Sequence, residues 1–234
     1  MQNATPVDVT GSSFSGITKA YDFGGAQTTD PASAVMDDGL GAYDSLDGSD
    51  LDDGDSNATF EFWLKPDDLT GQEYIFESGA AKHGVALALD GTTLRFITED
   101  NGQGPFTSFD LSTHGSYDGN TDSFTDFIQV VGVCNGHTNT LYVDGAFKDS
   151  DSDTDHPPTW DEGGNEAGLG TERDNGPDEF EGYGTFDGQM ARVRFYDSPL
   201  SGDDVSDLYD AMLPEPATLA LLALGGLGLL ARRR

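Results

Sequence analysis

Carboxylates crowd the segments in which chemistry could occur. Residues 149–155 read Asp149-Ser150-Asp151-Ser152-Asp153-Thr154-Asp155, an alternation of short oxygen-bearing side chains that could wrap a hard cation such as Ca²⁺. With Asp151, Asp153 and Asp155 at the first three ligand positions of an EF-hand loop, Glu162 falls on the last. The register fails where the loop needs its glycine, because His156 stands there and Pro157-Pro158 follow. A looser Ca²⁺ site and a solvated acidic loop both stay open. Hydrolysis has less support. A retaining glycosidase needs two carboxyl groups about 5 to 5.5 Å apart, whereas Asp178-Glu179-Phe180-Glu181 sits among turn residues, between Gly176-Pro177 and Gly182. His83, His114, His137 and His156 each neighbour Gly or Pro, with no recognisable Ser or Cys nucleophile motif. The expectation is a chain that is not an enzyme.

Sugar binding asks for an exposed ring beside polar donors, since pyranose C–H faces stack on aromatics while hydroxyls demand hydrogen bonds. Trp160, after Pro157-Pro158-Thr159, is the loop platform of choice. Arg192, Arg194 and Tyr196 share one face of the last strand, opposite Ala191, Val193 and Phe195, and form the second half of the candidate carbohydrate site. In so acidic a chain these arginines are expected to pair with nearby Asp. Trp63, inside a strand, is expected in the core.

The elements that must position these residues follow from composition. The chain has 234 residues, 35% of them hydrophobic, enough for one sizeable core. Thirty-one Gly and ten Pro argue against a helical bundle. The net charge of −32 repels phosphate backbones and anionic headgroups, which excludes nucleic acid as a partner. Asp outnumbers Glu by 33 to 10, so Ca²⁺ and a surface suited to salty water are the two readings of that charge. The single Cys134 lies in an apolar run and permits no intrachain disulfide.

Short strands closed by Gly, Asp or Asn recur at about ten-residue intervals between residues 58 and 197, the pattern of an all-β sandwich of two antiparallel sheets. Nine are expected: Thr59–Lys65, Tyr74–Ser78, Val85–Leu89, Thr93–Thr98, Phe106–Leu111, Phe127–Cys134, Thr140–Val143, Ala167–Thr171 and Phe186–Tyr196. Asp90-Gly91 and Asp144-Gly145 are expected hairpin turns. The 127–134 run is apolar on both faces and belongs in a sheet centre. Segments 37–57 and 149–166 have no apolar period and read as long rim loops. Ser201–Met212 is the convincing helix, opened by a Ser201/Asp204 capping box and packed on the sandwich through Val205, Leu208, Tyr209 and Met212.

The tail differs from everything before it. Pro214-Glu215-Pro216 precedes an uncharged apolar stretch, Ala217–Ala231, and then Arg232-Arg233-Arg234. As a helix the stretch would span roughly 22 Å, short of a ~30 Å hydrocarbon core but close to it once arginines snorkel. Residues 213–234 resemble the PEP-CTERM sorting signal of Gram-negative bacteria. The resemblance implies recognition by an exosortase, transient membrane anchoring through the C-terminal helix, and delivery to the cell envelope or extracellular matrix. Met1–Pro6 has neither a basic nor an apolar signal region. An upstream signal peptide outside this sequence is the favoured explanation, with Met1 as a true start the other.

Four segments together resemble the concanavalin A-like lectin/glucanase superfamily in its laminin G-like branch: Leu46-Asp47-Gly48-Ser49, Ala58–Pro66, Leu141-Tyr142-Val143-Asp144-Gly145, and Gly188–Tyr196 with Leu200-Ser201. The resemblance implies a jelly roll over residues 21–212, preceded by a 1–20 segment that is either incomplete or a first strand, and followed by the 213–234 sorting segment. It also nominates Asp22, in Tyr21-Asp22-Phe23-Gly24, and Asp187, in Phe186-Asp187-Gly188, as rim ligands for Ca²⁺. Relatives often carry an Asp shortly after that Gly, where this chain has Ala191. The glucanase Glu-x-Asp-x-x-Glu segment is absent. The leading functional expectation is an exported, non-catalytic binding protein for extracellular polysaccharide or surface glycan. A polysaccharide-cleaving enzyme with an unrecognised site and a purely structural matrix protein are the alternatives.

Overall fold

The structure is a computed structural model and describes residues 4–23, 57–80, 82–156, 168–171, 180 and 182–214. Trp160, Glu215, Pro216, Arg232, Arg233, Arg234 and the apolar tail lie outside these residues, as does most of the 37–57 loop. In chain order the strands are β1 (Thr5–Asp8), β2 (Lys19–Asp22), β3 (Asn57–Pro66), β4 (Gln72–Ala80), β5 (His83–Asp90), β6 (Thr93–Glu99), β7 (Phe106–Asp110), β8 (Tyr117–Asp118), β9 (Ser123–Phe124), β10 (Ile128–Asn135), β11 (Thr138–Val143), β12 (Ala146–Ser152), β13 (Gly168–Leu169), β14 (Gly184–Thr185) and β15 (Gly188–Tyr196). One helix, α1 (Gly202–Asp210), follows. A seven-stranded sheet runs β1-β2-β15-β3-β10-β11-β12 and faces a sheet ordered β13-β4-β5-β6-β7, with β14 beside β4. All nine expected strands have a counterpart, and the two main sheets form the expected antiparallel sandwich.

Alternation along β3 builds the core. Phe60, Phe62 and Leu64 point between the sheets, where Phe60 meets Phe76 at 5.5 Å between ring centroids and Phe76 meets Phe195 at 5.1 Å. Such aromatic pairs add about 0.5–1.5 kcal/mol each beyond their buried area. Gly132 on β10 makes room for this layer, since a Cβ there would lie 2.6 Å from the Phe96 ring. β10 is buried through Cys134 and lies between β3 and β11, as its apolar run requires. The β11–β12 turn places Asp144 and Gly145 at φ 52° and 70°, the double positive-φ geometry that suits Asp-Gly.

One feature of the sequence reading needs correction. The 149–166 segment is not a loop throughout, because Ala146–Ser152 is an edge strand paired with β11. Its Asp/Ser alternation carries no apolar signal because the carboxylates of Asp149 and Asp151 meet edge backbone of the other sheet rather than core side chains. The residues before Tyr21 also contribute, since β1 pairs with β2 and β2 with β15.

α1 begins at the expected capping box. The Ser201 side chain accepts from Asp204 N–H at 3.2 Å, and the Asp204 carboxylate accepts from Ser201 N–H at 3.0 Å. The helix lies on the outer face of the seven-stranded sheet, with Val205 on Val131 and Val133 and Tyr209 stacked on Trp63 at 5.9 Å. Phe14, Ile17 and Met212 complete the cover over Trp63, which is buried as expected. Among the described residues no helix is long and apolar enough to cross a membrane.

Candidate functional site

The outer face of the seven-stranded sheet holds a buried carboxylate. Glu61, on the face opposite Phe60 and Phe62, is fully buried and receives Trp63 Nε1 at 2.8 Å, Gln129 Nε2 at 3.0 Å, Tyr196 Oη at 2.9 Å and Arg194 Nη1 at 3.2 Å. A bulge near Ala191 brings this about. It keeps Met190 in the core while turning Arg192, Arg194 and Tyr196 outward beside β3. Two members of the expected sugar site, Arg194 and Tyr196, are therefore tied to Glu61, a glutamate rather than the expected aspartate. Burial and the neighbouring Glu61 raise the Tyr196 hydroxyl above its ordinary range. Arg192 instead donates to Met212 Sδ at 2.9 Å and borders a groove of about 110 Å³ with Tyr21, Phe23 and Leu169. Burial and Arg194 hold its guanidinium below the usual range. Glu-x-Trp on one strand facing Arg-x-Arg-x-Tyr on another was the available signal for this network.

At the end of the same face opens a polar cavity of about 210 Å³. Its walls include Asp8, Ser12, Lys65, Asp126 and Gln189, with buried Phe127 beneath. Lys65 and Gln189 are direct cross-strand partners of β3 and β15 and so share a face. Asp126 holds the wall in place: its carboxylate accepts from Ser13 N–H and from Phe127 N–H, both at 2.8 Å. Burial opposes ionisation of Asp126, but these bonds and one from Ser12 outweigh it and hold the carboxyl below its ordinary range. Sequence reading did not single out Lys65, Asp126 or Gln189. Their assembly depends on a contact 113 positions apart, between Ser13 and Asp126.

Beyond Lys65 lies an acidic rim. Asp67 N–H donates to the Asp187 carbonyl at 2.9 Å, Phe23 N–H to Gly188 at 2.9 Å, and Asp187 N–H to the Glu73 carboxylate at 3.0 Å. Burial, then repulsion from Asp187 and Asp68, pushes Glu73 up to about 7. Asp187 is raised by burial, Asp68 and Asp22, and Asp67 by burial, Asp22 and Asp187 against the pull of Lys65. The nominated pair Asp22 and Asp187 thus shares one rim. Among the described residues no three carboxylate, His or Cys side chains are grouped as a metal would need.

The Asp151, Asp153 and Asp155 run does not converge. Asp151 accepts from Phe106 N–H at 2.9 Å, while Asp153 accepts from Asp155 N–H at 2.9 Å and pairs with His156 Nδ1 at 2.9 Å.

A lectin-like sandwich with a polar cavity on one sheet's outer face defines the class. Residues 38–206 match the family model of the concanavalin A-like lectin/glucanases superfamily, in its laminin G type, and the chain belongs to that superfamily. Residues 213–234 match the PEP-CTERM protein-sorting motif. No curated protein matches the chain. Among solved structures, a leech intramolecular trans-sialidase complexed with 2,7-anhydro-Neu5Ac superposes at TM-score 0.57 with 13% identity, covering 88% of this chain and 27% of that one. The botulinum neurotoxin type G receptor binding domain gives TM-score 0.53 with 12% identity, covering 88% and 46%. The chain therefore spans less than half the length of either structure, and at these identities the likeness concerns the fold.

Proposed function

We propose that this chain is an exported, non-catalytic glycan-binding or adhesive protein, delivered by its sorting segment to the envelope or extracellular matrix of a Gram-negative bacterium. The observation that carries the reading is a polar, open cavity on a lectin-superfamily sandwich whose C-terminus carries a protein-sorting motif. The reading also takes in the residues expected to bind sugar: Trp160 as a loop platform, and Arg192, Arg194 and Tyr196 as polar groups on the outward face of the last strand. The reading extends to Ca²⁺ at the Asp22–Asp187 rim, where mutual repulsion among carboxylates would be relieved by a divalent cation.

Screening the purified full-length chain on a glycan array and against polymeric substrates tests the proposal. Binding without new reducing ends supports it; release of reducing ends would assign the chain to polysaccharide-cleaving enzymes, and neither result would leave a structural matrix role. For the sorting half, an exosortase-type enzyme is the proposed partner. Replacing Pro214 and Pro216 with Ala should leave the unprocessed form in the membrane, because α1 could then continue into the apolar stretch instead of presenting an extended tripeptide. A mature protein still ending in Arg232-Arg233-Arg234 would contradict processing.

A further inference from the structure

We propose that the cavity over Lys65 and Gln189 is a subsite for one neutral, hydroxyl-rich sugar ring, and that it selects against acidic sugars. This rests on the glycan-binding reading and names the ligand class within it. Size sets the first limit. At about 210 Å³ the cavity is smaller than the ~300–1,000 Å³ of drug-sized ligand pockets, which leaves room for a single ring and not for an extended chain.

The walls set the second limit. Gln189 makes no side-chain hydrogen bond among the described residues, and its amide offers both donors and an acceptor. Lys65 stands beside it with three donors and only a long, 3.8 Å pairing to Asp67. The tethered Asp126 supplies a carboxylate that accepts from hydroxyls, while the exposed Asp8 carboxylate is held by Lys19 at 2.8 Å. Sugar hydroxyls, which donate and accept, match this set. A uronate or sialate carboxylate would face the Asp126 carboxylate beside the Lys65 ammonium in a chain of net charge −32, so its approach is opposed at long range. The site is prebuilt, because Asp126 bonds fix Ser13 and the preceding Val9–Ser12 wall before any ligand arrives.

Isothermal titration of the full-length chain with cello-, laminari- and mannotetraose, and with the uronate tetrasaccharides of pectin and alginate, tests this. At least one neutral tetrasaccharide should bind, more tightly than either uronate. Lys65→Met and Gln189→Ala should each weaken it by about tenfold or more, and Lys65→Arg by less. Lys148→Met, which removes the same charge at the far edge of the sheet above the Phe109 ring, should leave binding unchanged. Melting curves matched to wild type show that the variants fold. Neutral binding that survives both cavity variants would overturn this site while leaving the glycan reading standing. Tighter uronate binding would overturn the ligand class. No binding to any glycan in titration or on the array would end the broader reading as well.

Discussion

The Asp149 carboxylate on β12 accepts a hydrogen bond from Ser108 N–H on β7 at 2.9 Å, and so joins the free edges of two different sheets. Asp151 repeats the contact one turn of the pleat away, on Phe106 N–H at 2.9 Å. Inward-pointing acidic side chains of this kind saturate edge N–H groups that would otherwise template pairing with another chain. Replacing Asp149 with Ala should lower unfolding stability by about 1–2 kcal/mol in urea titration, and Asp151→Ala, at the more exposed bond, by less. Asp149→Asn keeps an acceptor and should lose little. Equal stability of the Ala and wild-type proteins would show that the edges do not depend on these bonds.

Glu61 presents the harsher case, because its carboxylate is buried and four donors point at it. Glu61→Ala strands the Arg194 guanidinium, the Trp63 indole N–H and the Gln129 amide, and should cost about 3–5 kcal/mol. A double change, Glu61→Ala with Arg194→Met, should recover part of that loss. Chemical denaturation of wild type, Glu61→Ala, Arg194→Met and the double variant measures the coupling, and strictly additive losses would refute it.

Glu73 ties stability to pH. In the folded chain its carboxyl ionises at about 7, against 4.5 for the free side chain, so between these values the folded state holds the extra proton. Its contribution to stability is therefore fully present below the lower value and is lost as pH rises through the upper one. Glu73→Gln should melt higher than wild type at about pH 8, with the gap closing near pH 5. A gap that is the same at both pH values would contradict the assignment.

The Ca²⁺ proposed for the same rim is tested by melting. If Asp22 and Asp187 help to hold a cation, the full-length chain should melt several degrees higher in millimolar Ca²⁺ than in chelator, since a ligand confined to the folded state adds RT ln(1 + [L]/Kd). Mg²⁺ at equal ionic strength is the control. Equal shifts with both ions mean screening of the net charge and remove the specific site.

The sandwich was legible because its strands follow period-two alternation and Gly-Asp turns, both local signals. α1 was legible through Ser201 and Asp204 for the same reason. β12 was not, because an edge strand whose side chains meet backbone and water leaves no hydrophobic pattern. The outward face of Arg192, Arg194 and Tyr196 was readable from alternation, yet their tie to Glu61 was not, since it needs the β3–β15 register. The cavity was invisible for a related reason: Lys65, Asp126 and Gln189 come from three separated stretches and carry no shared motif.

Electrophoresis of the full-length protein through native gels cast with neutral polysaccharides tests most directly whether this chain binds polysaccharide without cutting it. Retarded migration in at least one neutral gel, relieved by Lys65→Met and accompanied by no new reducing ends, is the expected result. Unchanged mobility in every gel, or retardation together with release of reducing ends, would contradict it.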